Sequence, residues 1–118
     1  MIDRVVLRYR DGRTERADLE PSESDREVIT VIREEGGRAE VPFSILKAVF
    51  YPRGETPTPE PDGGMHINVE FSDGEVIRGV ALYNPEKNGF LLYPHDRSKN
   101  DRVFVVNSAI VSIEVEKL

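Results

Sequence analysis

The chain has 118 residues, a formal net charge of −6 and no cysteine. That length holds one domain, or two very small ones that share a core. The missing thiols exclude disulfides, a cysteine nucleophile and Cys-ligated metal. No apolar run approaches the ~18 residues of a membrane span, and the acidic balance argues against a basic footprint for nucleic acid or anionic lipid.

The charge divides into −2 over residues 1–56 (10 basic, 12 acidic) and −4 over residues 57–118 (6 basic, 10 acidic). No secretory signal precedes the first amphipathic segment, so a cytoplasmic location is expected. An excess of arginine over lysine together with frequent proline points to a high-GC or thermophilic bacterium.

From Ile2 to Arg10 the residues alternate, with Val5, Leu7 and Tyr9 on one face, which predicts a half-buried strand. Asp11-Gly12 predicts a type I′ hairpin turn, and Arg13 to Leu19 the return strand. A polar loop, Glu20–Asp25, leads to Val28–Ile32, a β-branched run that reads as a central strand. A short helix over Ser24–Arg33, capped by Ser24 with Glu27 three residues on, is the alternative there. Glu35-Gly36-Gly37 turns the chain into Arg38–Val41. Pro42 ends that strand, Pro42–Ile45 fits one 3-10 turn, and Lys47 to Tyr51 is a fifth strand.

Residues 54–64 hold alternating prolines between glycines, a composition that predicts an extended spacer with flexible ends. The order then repeats. Met65–Ser72 is a strand, Asp73-Gly74 the hairpin turn and Glu75–Tyr83 the return; Phe90–Tyr93, Arg102–Val106 and Ile110–Glu116 follow, with a short turn at Asn107-Ser108-Ala109. Val5–Gly12 is echoed by Ile67–Gly74, and Arg38–Val49 by Arg102–Ile113. A fixed internal period means one supersecondary unit used twice.

Five short strands with a one-turn helix before the last predict a small SH3-like barrel. The stretch Val103 to Ile113 resembles the second motif of the Sm/LSm family. The expected fold is therefore all-β: two tandem five-stranded SH3/Sm-like barrels, an internal duplication packed as a pseudo-symmetric pair. Residues 1–53 form the first barrel, 54–64 the linker and 65–118 the second. Sm-like RNA binding is one function the resemblance implies. Val106-Asn107-Ser108 and Pro42-Phe43-Ser44, however, stand where that family places an Arg-Gly loop. Gly89–Asp96 leading into Asn100–Val105 resembles bacterial domains that accompany PilZ and motility or polarity regulators. PilZ-like cyclic-dinucleotide binding would use Arg8, Arg10 and Arg13 as phosphate contacts, though these three lack among themselves the i, i+4 arginine spacing of that family.

No catalytic, cofactor or metal signature emerges. His66 and His95 are far apart in sequence and read as structural or exposed side chains. Asp96, Asn100 and Asp101 lack the spacing and glycine of a calcium loop. No Gly-x-Ser-x-Gly elbow or Walker lysine is present. The expected function is a non-catalytic adaptor that binds another protein in a signalling, motility or polarity system. Tyr93, His95, Asp96, Arg97, Lys99 and Arg102 are the candidate partner-binding residues, and unpaired strand edges offer a route to homo-oligomers.

Overall fold

The computed structural model describes residues 3–21 and 26–116. Residues 22–25 of the expected Glu20–Asp25 loop lie outside the described residues. Ten strands run through the chain: β1 (Asp3–Tyr9), β2 (Thr14–Leu19), β3 (Val28–Arg33), β4 (Arg38–Pro42), β5 (Leu46–Pro52), β6 (Met65–Phe71), β7 (Val76–Ala81), β8 (Gly89–Pro94), β9 (Asn100–Val106) and β10 (Ile110–Val115). Three-residue 3-10 turns at Phe43–Ile45 and Asn107–Ala109 precede the last strand of each repeat. The β-branched run from Val28 is a strand, so the helical alternative does not hold over Val28–Arg33.

The hairpins after β1, β3 and β6 share one geometry. Gly12 N–H donates to the Tyr9 carbonyl and Tyr9 N–H to the Arg13 carbonyl, a pattern repeated by Gly36 with Arg33 and by Gly74 with Phe71. Gly12 (φ 94°) and Gly74 (φ 90°) are left-handed, whereas no described non-glycine residue has positive φ. A type I′ turn needs positive φ at both central residues, so the expected turn type is corrected to a type I turn closed by a glycine bulge. Asp11 and Asp73 each accept the backbone N–H two residues on, at 3.0 Å, which holds the turn.

All ten strands join one antiparallel sheet in the order β10-β6-β7-β8-β9-β5-β1-β2-β3-β4. Each repeat contributes the same order: fifth strand, first, second, third, fourth. Only three residues separate β4 from β5, yet the two stand at opposite ends of their five-strand unit. Laid flat, those ends would be about 19 Å apart, so each unit must curl until they nearly meet. Closure would require β4 to pair with β5. Instead β5 pairs with β9 of the other repeat, Ala48 opposite Val105 and Phe50 opposite Val103. Of the expected pair of barrels the all-β strand content is present, but the strands form one continuous sheet that is not closed.

This junction explains why β5 is buried from Leu46 through Phe50. Val49 lies opposite Leu7, while Ala48 and Phe50 lie opposite Arg8 and Val6. Directly opposed residues share a face. Val49 therefore fills the core of the first unit. Phe50 continues through Val103 and Leu92 to the face that carries Ile67 in the second. The two faces exchange roles at the junction, and one buried cluster extends from Val5 to Ala109.

The linker is not a free spacer. Arg53 N–H donates to the Lys99 carbonyl, and Thr58 is held by Asp101 through its N–H at 2.9 Å and its Oγ1 at 2.6 Å. The proline-rich segment is thus a strap fastened to the second repeat at Thr58.

Candidate functional site

The expected partner-binding loop lies under that strap. Asp101 is the second residue of β9 and is buried. Burial alone would raise its pKa; the two Thr58 bonds and the Arg102 and Arg97 guanidiniums outweigh that and hold it far below the ordinary carboxylate range. Arg97 Nη2 reaches Asp101 at 2.5 Å and the Thr58 carbonyl at 2.8 Å. Arg102 donates to Asp101 at 2.8 Å and lies 4.0 Å over the Tyr51 ring. Tyr93 is buried, with Arg97 over its ring. Three of the six candidates thus act within the chain. Asp96 and Lys99 are exposed, and Asp96 accepts the Ser98 N–H at 3.0 Å.

The three candidate phosphate contacts do not converge. Arg8 bonds Glu75 at 3.1 Å and covers Phe50. Arg10 donates to the Leu46 carbonyl at 3.1 Å and to Ser108. Arg13 turns back to Asp11 at 2.7 Å. Arg8 and Arg10 fasten the first repeat to the second instead.

Lys47 belongs to the same inter-repeat contact and was not legible in sequence. Ala48 pairs with Arg8 and Leu46 with Tyr9, so Lys47 is the extra residue of a β-bulge. Its buried side chain turns to Asp73 at 2.6 Å and Glu75 at 2.5 Å. The second repeat has its bulge at the same place. Ile110 pairs with Phe71 and Ser112 with Glu70, which leaves Val111 as the extra residue, 60% exposed.

Where β4 and β5 fail to close, a cleft of about 340 Å³ opens. Leu19, Ile29, Phe43 and Val49 line it from the first repeat and Phe104 from the second, with Arg26 and Lys87 at its rim. Asn88 donates to the Arg26 carbonyl at 2.7 Å across one end.

Among the described residues the sheet has two free edges. β4 presents Arg38, Glu40 and Pro42 as exposed residues, the charges and proline that blunt an edge. β10 exposes Val111 and Val115, the latter at 54%. Near its end the two histidines meet, His66 Nδ1 lying 3.0 Å from His95 Nε2. The sequence held no local cue to that meeting, because His66 lies on β6 and His95 follows β8, 29 residues on.

A family model matches residues 1–117. The chain belongs to DUF6982, a family of unknown function. No curated protein and no solved structure matches this DUF6982 chain. Among its described residues no helix is long and apolar enough to cross a membrane.

Proposed function

We propose that this DUF6982 protein is a non-catalytic interaction module that takes a partner strand onto the open edge of its sheet at β10. One observation carries the reading. β5 and β10 are the same strand of the duplicated unit; β5 is paired on both sides, whereas β10 pairs only with β6. The inner junction is thus an example, within the molecule, of what the free edge accepts. Exposed Val111 and Val115 beside half-buried Ile113 supply the apolar contact. β4, the counterpart of β9, carries charges and proline, so β10 is the accepting edge. The strand taken up is a β9-like strand of another protein or the β10 edge of a second copy. Placement in a bacterial signalling, motility or polarity system follows from the sequence resemblance alone.

The test is sedimentation of the intact chain beside a Val111→Lys/Val115→Lys variant. Assemblies that the variant reduces to monomer, with an unchanged urea midpoint, support a second copy as the partner. If both are monomeric, a peptide of the β9 sequence Asn100–Val106 must bind the unmodified chain and not the variant. A monomeric chain that also ignores the peptide ends the proposal.

A further inference from the structure

We propose that His66, His95 and Glu116 form a binding site for a borderline divalent transition ion of the Zn²⁺ class. The three residues come from three separate strand ends. His66 is the second residue of β6, and His95 and Glu116 directly follow β8 and β10. Backbone bonds extend the ladders to both outer positions: His95 N–H donates to the Arg78 carbonyl at 3.0 Å, and Glu116 N–H to the His66 carbonyl at 2.8 Å. The site therefore stands on sheet backbone and not on a free loop.

Register puts the three side chains on one face. Glu114 lies opposite Asn68, and Val115 opposite Ile67, so Glu116 falls beside His66. Val80 lies opposite both His66 and Tyr93, and side chains two residues apart share a face, which brings His95 to the same side. The core residues Ile67 and Val69 point the other way.

The geometry suits coordination. One potential ligand atom from each residue lies within 4.8 Å of the other two. The imidazoles are tilted by 47° with centroids 5.2 Å apart, and they meet nitrogen to nitrogen at 3.0 Å. In a tetrahedral zinc site with Zn–N near 2.05 Å, two ligating nitrogens stand about 3.3 Å apart. The pair needs to open by only a few tenths of an ångström, and rotation of the exposed Glu116 side chain brings in its carboxylate. Without an ion, the short contact is a hydrogen bond whose direction is set by the ring tautomers. An ion needs the lone pairs of both facing nitrogens, and the proton between them moves to the outer nitrogen of its own ring.

Two imidazoles and one carboxylate, without thiolate, select Zn²⁺, Co²⁺ or Ni²⁺ over Ca²⁺ or Mg²⁺. Three protein ligands leave a fourth position for water or for a ligand from a partner. A bound ion would also tie the end of free edge strand β10 to β6 and β8. The proposal stands whether or not β10 recruits a strand.

The probes are Co²⁺ and Zn²⁺ added to the tag-free full chain. The expected result is a single equivalent bound, with the visible absorption of four-coordinate Co²⁺ and a rise in Tm with Zn²⁺. His66→Ala and His95→Ala should each weaken binding by at least about tenfold, as should Glu116→Gln, while the metal-free circular dichroism stays that of the unmodified chain. No binding at millimolar Zn²⁺, or unchanged affinity in either histidine variant, overturns the site. Unchanged affinity in Glu116→Gln overturns the three-ligand set. Should a histidine variant misfold, imidazole ¹⁵N shifts of the unmodified chain decide. His66 Nδ1 and His95 Nε2 must move on adding Zn²⁺, and unmoved signals overturn the assignment.

Discussion

Lys47 donates to Asp73 across the two repeats at 2.6 Å, from a position where β5 carries one residue more than β1. The bulge aims this side chain out of its own unit and into the hairpin of the other. There it also meets Glu75 and lies 4.8 Å from the Phe71 ring centre. A buried ammonium needs such partners, because an unpaired charge out of water is costly. Lys47→Met keeps the volume and removes the bonds. Asp73 and Glu75 are half exposed and regain water, so the expected loss is about 1–2 kcal/mol. Lys47→Glu sets a buried carboxylate against two others and should cost roughly 3–5 kcal/mol. Urea unfolding of both variants checks the order.

The strap gives a second prediction. Asp101→Asn leaves Arg97 and Arg102 facing one another without their shared anion, an expected loss of about 2–4 kcal/mol. Thr58→Val keeps the backbone bond but removes the hydroxyl's bonds to Asp101 and from Arg102, and should cost about 1–2 kcal/mol. Both should speed proteolytic cleavage within residues 54–64, and cleavage at the unmodified rate in Asp101→Asn would show that the strap is held elsewhere.

The pH dependence follows from the same carboxylates. Asp101 is held far below its usual range by the bonds that overcome its burial, and Asp73 is lowered chiefly by Lys47, then by the Glu75 N–H. A depressed folded-state pKa contributes stability that is complete above the unfolded value, near 3.9, and is lost as pH falls through the folded value. Stability should therefore be flat from these two groups above about pH 5 and fall steadily below about pH 4. Asp101→Asn should flatten the acid limb and leave the neutral region level, measured as the urea midpoint between pH 7 and pH 2.5.

Three glycines separate close packing from backbone strain. A Cβ on Gly89 would lie 2.1 Å from the Val105 carbonyl oxygen and 2.6 Å from the Phe104 ring. Gly89→Ala must push β8 from β9, at an expected cost of about 3 kcal/mol or more. Gly12 faces open space but sits at φ +94°, so Gly12→Ala should cost about 1–2 kcal/mol. At Gly37 the nearest atom to a Cβ is 3.8 Å away and φ is ordinary, so Gly37→Ala should be neutral or slightly stabilising. Thermal unfolding of the three gives the ranking.

The ten strands were legible because alternation such as Val5, Leu7, Tyr9 and runs such as Val28–Ile32 record which side chains face a core. The duplicated Asp-Gly turns were legible too, though not their geometry, which depends on φ at a single aspartate. What sequence pattern does not carry is the destination of a strand edge. Ala48 and Phe50 look the same whether β5 closes on β4 or crosses to β9. Nor does it show pairs made by folding alone. Thr58 and Asp101 are 43 residues apart, and His66 and His95 29. Asp101 did leave a trace, a carboxylate at the head of the apolar run Val103–Val106, but its partner sat in a segment read as a spacer.

The buried junction makes the halves interdependent, which is the last prediction. A chain cut to residues 1–53 would expose Ala48 and Phe50 along β5, and one cut to residues 65–118 would expose Val103 and Val105 along β9. Units of that size bury only about 60% of their surface and are marginal alone. The second fragment would also release Asp101 from Thr58. Each fragment by itself should therefore give weak, non-cooperative unfolding or aggregate. An equimolar mixture should recover the β5–β9 pairing and unfold cooperatively. Phe50→Lys in the first fragment should prevent that recovery, because it places a charge opposite Val103 within the shared core. If either fragment folds cooperatively alone and gains nothing from the other, the junction is a contact between two independent domains and not the centre of one.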